Sequence, residues 1–187
     1  MHIRIISGKY KGRRITAPKK LPVRPTTDRA KEALFNILEN KLHIPGLKVL
    51  DLFTGTGSIS YEFASRGAQF IHAVDRNYFV LKFVKKTIKE FDFPIKIFQY
   101  DVLKFLLKTD EKYDIIFADP PYDMEIESQK KMIEYIFNRK ILNQNGFFIL
   151  EHKKHLDFSD VEGFVQSRKY GISVFSFFKN STNILES

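Results

Sequence analysis

A chain of 187 residues with 43% apolar and 14% aromatic content is the size of one globular domain able to bury its own core. It contains no cysteine, which excludes disulfides, thiolate-held zinc and a cysteine nucleophile, and makes the cytoplasm the expected compartment. The net charge of +9 is carried entirely by residues 1–31, where ten Lys and Arg meet a single acid, Asp28, while the rest of the chain sums to zero.

A neutral body with a cationic arm predicts a polyanionic partner, because each phosphate contact releases counterions. A membrane partner is not expected. No run approaches the ~18 apolar residues of a spanning helix, and no amphipathic helix accompanies the charge. The first residues, M-H-I-R-I-I-S-G-K, lack the apolar segment of a signal peptide.

In chain order, residues 2–6 and 13–16 flank G-K-Y-K-G and predict a small basic hairpin or arm. Prolines 18, 22 and 25 then keep the backbone extended. The expected division is a basic arm over 1–25 and a main domain over 26–187. The main domain opens with a helix that has Thr26 or Thr27 as N-cap and Ala30, Ala33, Leu34, Ile37 and Leu38 on one face. Strands are predicted over 47–53, 70–75, 95–100, 113–119 and 146–151. Helices are predicted over 58–67, 77–91, 102–108 and 125–137, and the alternating tail, 163–179, predicts an antiparallel hairpin turning at Tyr170-Gly171. This alternation defines an α/β fold, a mostly parallel sheet with helices on both faces and a C-terminal antiparallel hairpin.

Ligands of open α/β sheets bind outside the carboxyl ends of the strands, and four successive strand ends here carry acids: Asp51, Asp75, Asp101 and Asp119. The first end, D-L-F-T-G-T-G-S (51–58), contains a G-x-G turn at Gly55 and Gly57 that lets a ligand approach the backbone. Ser60 stands where a dinucleotide fingerprint has its third glycine, and Asp51 would repel a pyrophosphate but attract an ammonium. Both features favour S-adenosylmethionine as cofactor. Its candidate binding residues are Asp51, Phe53, Thr54, Gly55, Gly57, Asp75, Arg76, Asp101 and Val102. Asp75 would accept from ribose hydroxyls and Asp101 from the adenine amine, with an N-cap as the other reading of Asp101.

Asp119-Pro120-Pro121-Tyr122 ends the fourth strand and supplies the candidate catalytic residues. An exocyclic base amine is a poor nucleophile because its lone pair is delocalised into the ring. The Asp119 carboxylate and a backbone carbonyl freed by the prolines can accept its two N–H groups and turn the lone pair toward a methyl donor. Asp119, directly or through water, can take the released proton, and Tyr122 offers a face for an extruded base.

R-I-I-S-G-K-Y-K-G-R (4–13), R-P-T-T-D-R-A-K-E-A-L-F-N-I-L (24–38), V-L-D-L-F-T-G-T-G (49–57), S-R-G-A (65–68), V-D-R (74–76) and D-P-P-Y (119–122) together resemble the bacterial 16S ribosomal RNA guanine-N2 methyltransferases. The resemblance covers nearly the whole chain. It implies a Rossmann-like seven-stranded sheet, S-adenosylmethionine as donor, and one guanine of an assembling small ribosomal subunit as acceptor. Many relatives have an alanine-leucine-glycine type run where this chain has Ser58-Ile59-Ser60, a departure expected to affect helix packing more than ligand chemistry. In this reading Arg4, Lys9, Lys11, Arg13, Arg14 and Arg24 grip RNA phosphates, and Thr26, Thr27, Asp28 and Arg29 sit near the entering nucleotide. Helix capping competes for the threonines.

Two other functions fit the same motifs: a DNA adenine-N6 methyltransferase, which would need a recognition segment absent here, and a non-catalytic RNA-binding assembly factor. No metal is expected. Glu151-His152 and His155 lack the helical i, i+4 spacing of a zinc pair. The phenylalanines are expected in the core, the K-K-T-I-K-E run (85–90) on a solvated helix face, and the protein as a monomer.

Overall fold

The computed structural model describes residues 1–23 and 26–180. Five parallel strands, β3 (Lys48–Leu52), β4 (Phe70–Asp75), β5 (Ile95–Gln99), β6 (Tyr113–Ala118) and β7 (Leu142–Lys153), are extended by the antiparallel pair β8 (Phe164–Tyr170) and β9 (Ser173–Phe178). The spatial order is β5-β4-β3-β6-β7-β9-β8. This is the α/β, Rossmann-like seven-stranded sheet with a C-terminal hairpin that the sequence predicts. The chain winds outward in opposite directions from β3 and β6, so the crevice above these two strands is the topological switch point where such sheets bind ligands.

Side-chain alternation assigns the two faces. Val49, Ile71, Ala73, Ile115, Phe117, Phe147 and Ile149 point to one side, against α1 (Asp28–Glu39), α2 (Ser58–Ser65) and α3 (Tyr78–Phe91). Leu50, Leu52, Val74, Ile116, Ala118, Phe148 and Leu150 point to the other, against α4 (Val102–Lys108) and α5 (Ile126–Asn138). The phenylalanines at 175, 177 and 178 are buried, as core residues should be. Among the described residues, no helix is long and apolar enough to cross a membrane.

At the N-terminus, β1 (His2–Arg4) pairs antiparallel with β2 (Arg14–Thr16), and Ile3, Ile5, Ile15 and Ala17 join the core cluster of the α1 face. The G-K-Y-K-G loop docks on the end of α2: Lys9 N–H donates to the Ser65 carbonyl at 2.7 Å and Tyr10 N–H to Ser65 Oγ at 3.0 Å. Gly8 is required for that approach. Its φ is +82°, and a Cβ there would stand 2.0 Å from the Ser65 carbonyl oxygen.

Two features depart from the sequence reading. Strand β7 begins at Leu142 rather than at 146, because Asn143–Gly146 carry no apolar alternation and bulge out between the rungs Tyr113–Leu142 and Ile115–Phe147. Lys31, counted among the charges of the arm, is only 1% exposed. Its ammonium donates to the Arg4 carbonyl at 2.5 Å and to Glu62 at 3.2 Å. Glu62 lies on an α2 whose every residue is buried, and a carboxylate in that position requires a counter-charge.

Candidate active site

The loop leaving β3 turns sharply over residues 53–57. Phe53 takes a left-handed φ of +60°, a strained conformation for a bulky residue. Gly57 follows at φ +81°, where a Cβ would fall 2.5 Å from the buried Tyr61 ring. Asp75, at the end of β4, braces this turn, with Oδ2 accepting from Gly55 N–H at 3.0 Å and Oδ1 from Asn77 N–H at 2.9 Å. Beneath it the Asp51 carboxylate accepts from Thr54 Oγ1 at 2.7 Å and Ser60 Oγ at 2.5 Å. Burial pushes the Asp51 carboxyl up to about 6 despite those two donors.

Strand β6 delivers the second half of the site. Ala118 is in register with Leu52 on one side and Leu150 on the other, so Asp119 emerges beside the turn from β3 and beside Glu151 of β7. Burial, Glu151 and Asp51 together hold the Asp119 carboxyl well above the usual carboxylate range. Glu151 is raised as well, chiefly by burial, although the hydroxyls of Ser173 and Thr26 partly offset it. Of the carbonyls in the loop, that of Pro121 accepts from Met124 N–H at 2.9 Å and that of Tyr122 from Lys153 Nζ at 2.8 Å. The Pro120 carbonyl has no donor among the described residues. The Lys153 ammonium also lies 5.1 Å from the centre of the Tyr122 ring, whose residue is 56% exposed.

These two loops bound one cavity of about 720 Å³, within the ~300–1,000 Å³ usual for small-molecule sites. Asp51, Phe53, Thr54 and Gly55 line it on one side and Asp119, Pro120, Pro121 and Tyr122 on the other. Thr26, Thr27 and Arg29 close it from the start of α1, and Arg29 is the one cation among the described lining residues. Thr27 is also the N-cap, accepting from Ala30 N–H at 3.3 Å, while Thr26 donates to Glu151 at 3.5 Å.

Other residues singled out in the sequence lie outside the lining. Gly57 and Asp75 shape the turn behind it, and Arg76 is exposed next to Asp75. Asp101 is exposed and caps α4 by accepting from Lys104 N–H at 3.1 Å, and Val102 is buried in the core. Lys9, Lys11, Arg13 and Arg14 are exposed on the arm, and Arg4 pairs with Asp28 at 2.9 Å. Arg24 lies outside the described residues.

Sequence reasoning passed over three contributors to this site. Ser60 is a hydrogen-bond donor to Asp51 and not merely a packing change. The turn of the C-terminal hairpin, Tyr170–Ser173, forms a wall of the cavity. Glu151 faces the cavity, and its signal was available: it closes the fifth strand expected from sequence, 146–151, with an acid, although β7 itself runs on to Lys153.

Comparison with known proteins gives this geometry its context. Residues 3–179 match the family model described as "Conserved hypothetical protein 95". "Ribosomal RNA small subunit methyltransferase D" of Buchnera aphidicola is 37% identical over 154 residues, 81% of this chain and 78% of that protein. The solved structure of "Putative methyltransferase yhhF from Escherichia coli" has the same fold at a TM-score of 0.84, with 22% identity and 96% and 98% of the two chains covered. The T. thermophilus 16S rRNA guanine-N2 methyltransferase, solved in complex with AdoMet and guanosine, shares the fold at a TM-score of 0.68 and 21% identity, covering 83% of this chain and 44% of that one. On the match over 3–179 and the identity to its relatives, the chain belongs to this family, that of the ribosomal RNA small subunit methyltransferases D.

Proposed function

We propose that the protein methylates the exocyclic N2 amine of one guanine in 16S ribosomal RNA, with S-adenosylmethionine as donor and the assembling small subunit as substrate. The observation that carries this reading is the charge of the cavity. At the switch point of the sheet, three carboxylates, Asp51, Asp119 and Glu151, face a space that, among the described residues, has one cation, Arg29. Such a lining repels a pyrophosphate and suits a ligand with an ammonium and a sulfonium. The names of the relatives support the same activity.

Bound S-adenosylmethionine supplies an electrophilic methyl group. Phe53, Thr54 and Gly55 hold the donor against the turn, Asp51 attracts its ammonium, and Asp75 acts on it through Gly55, whose N–H it fixes. Arg76, Asp101 and Val102 belong to the neighbouring strand ends and are assigned to the donor's nucleoside end. The Asp119 carboxylate and the Pro120 carbonyl accept the two N–H groups of the base amine, and their fixed positions aim its lone pair. Asp119 then accepts the proton that the methylated nitrogen loses. Tyr122, steadied by Lys153, stacks on the extruded guanine. Outside the cavity, Arg4, Lys9, Lys11, Arg13 and Arg14 hold RNA phosphates, a role assigned to Arg24 as well, with Thr26, Thr27 and Arg29 nearest the entering nucleotide.

The test is transfer of labelled methyl groups to small subunits from a strain lacking the enzyme, compared with free 16S RNA and DNA, followed by mass spectrometry of nucleosides. N2-methylguanine in the subunits is expected. N6-methyladenine in DNA, or donor binding without transfer to any substrate, would overturn the reading.

A further inference from the structure

The proposed reaction leaves one acid of the cavity without a task. Ala118 of β6 and Leu150 of β7 are partners in a parallel ladder, so Asp119, just past the end of β6, and Glu151, still within β7 and paired there with Phe175 of β9, follow them as neighbours. Both continue the α1 face, on which Phe117 and Ile149 are buried immediately before them. Both line the same cavity, and each lies two residues past an apolar position on its own strand.

Two carboxylates side by side repel one another, and the repulsion is relieved by a proton held on one of them or by a ligand that presents adjacent donors to both. Purines differ at this point. Guanine carries N–H donors on N2 and on the adjoining N1. Adenine, turned to present its amine in the same way, carries an acceptor at N1. A carboxylate next to the one that receives the amine therefore attracts guanine and repels adenine.

We infer that Glu151 is the residue that selects guanine, accepting a hydrogen bond from N1–H while Asp119 accepts from the N2 amine. Thr26 and the hairpin residue Ser173 orient it, the first by donating to Oε2 at 3.5 Å. This makes the start of α1 and the C-terminal hairpin positioning elements for base choice. The inference rests on the guanine-N2 reading above.

The experiment replaces the target guanine with 2,6-diaminopurine, which keeps the N2 amine but has an acceptor in place of N1–H. Small subunits are assembled around 16S RNA carrying either base, and initial rates are measured for the wild-type protein and Glu151→Gln. The wild type is expected to prefer guanine by about 100-fold or more. Glu151→Gln is expected to lose about 10- to 100-fold on guanine and to narrow the preference to below about 10-fold, because a glutamine amide can donate to the diaminopurine N1. Binding of S-adenosylhomocysteine, measured by calorimetry, should persist in the variant, and a thermal melt matching the wild type establishes that it is folded.

No transfer by the wild type to guanine subunits would remove the guanine-N2 reading, and this inference with it. Wild-type transfer to guanine with an unchanged preference in Glu151→Gln overturns the inference alone, as does equal use of both bases by the wild type. Loss of both activities in the variant, with donor binding intact, also overturns it, since that result marks a general part in the chemistry rather than selection.

Discussion

The Ser60 hydroxyl donates to Oδ2 of Asp51 at 2.5 Å, the same oxygen that accepts from the Thr54 hydroxyl at 2.7 Å. The two donors do not offset the burial of that charge, and the carboxyl rises from an ordinary 3.8 to about 6. The folded state therefore binds this proton more tightly than the unfolded chain, so stability is lost as pH rises from about 4 to about 6 and the full cost persists above. Asp51→Asn should accordingly stabilise the protein at pH 8 by about 1–3 kcal/mol, and the gain should vanish below about pH 4. Donor binding should weaken at the same time. Thermal unfolding against pH, together with calorimetry of S-adenosylmethionine binding, checks both halves.

Asp119 is assigned two tasks that different substitutions separate. Asp119→Ala removes both the acceptor for the amine and the proton acceptor, and should slow transfer by about 100- to 10,000-fold. Asp119→Asn keeps a carbonyl oxygen aimed at the amine and should lose less. Because burial, Glu151 and Asp51 raise the wild-type carboxyl, the acid is protonated and unable to accept at low pH. The rate should therefore climb with pH through a midpoint above the normal carboxylate range, and Asp119→Asn should flatten that limb. Single-turnover rates from pH 5 to 9 measure it; a wild-type rate independent of pH over that interval would contradict the assignment.

The sheet was legible because its strands are short, nearly continuous apolar runs set between helical patterns, and both faces are buried: Val49, Ile115, Phe117 and Ile149 on one side, Leu50, Ile116, Ala118 and Leu150 on the other. The positions of the glycine turn and of Asp119-Pro120-Pro121-Tyr122 followed from the rule that strand ends bear the ligand. What stayed hidden depended on packing between distant segments. Lys31 reads as one more surface charge until α2 brings Glu62 beneath it. Asp101 reads equally as ligand contact and helix cap, and its side chain is seen capping α4. Glu151 could be tied to Asp119 only once β7 was known to pair with β6 in register. From its neighbours in the chain alone it reads as a poor metal ligand beside His152, whose ring nitrogens contact the Lys153 carbonyl and the Ser176 hydroxyl.

Tyr122 lines the cavity at 56% exposure, as does Ile172 of the hairpin turn at 69%. Apolar side chains so exposed at a cavity suit a flat ring laid against them. Tyr122→Phe keeps the ring and should retain most activity. Tyr122→Ala should raise KM for the subunit by about 10- to 100-fold, the equivalent of removing one stacking interaction of ~1–3 kcal/mol. Its kcat should fall less, and its affinity for S-adenosylhomocysteine should be unchanged. Steady-state kinetics on small subunits distinguishes these outcomes.

The arm gives a prediction of a different kind, because its contacts are electrostatic and blind to base identity. Lys9, Lys11, Arg13 and Arg14 are exposed on the arm, outside the cavity, whereas Lys31 is buried against Glu62 and is not available to RNA. Bonds from Lys9 N–H and Tyr10 N–H to Ser65, at an approach that Gly8 permits, make the loop part of a rigid surface and not a loose tail. Changing the four exposed residues to Gln should weaken binding to small subunits and reduce the slope of log affinity against log salt by about 3, since each phosphate no longer neutralised removes ~0.7–0.9 from it. The ratio of guanine to diaminopurine transfer should be untouched, since no base edge is read there. Changing Lys31 to Gln should instead destabilise the fold, with its Tm lowered and the salt slope of the folded protein preserved, because it removes one of the two counter-charges, Lys31 and Arg66, that pair with the buried Glu62. Filter binding across 50–300 mM salt, with a thermal melt of each variant, separates the two classes; an unchanged slope in the fourfold variant would mean that the subunit is held elsewhere.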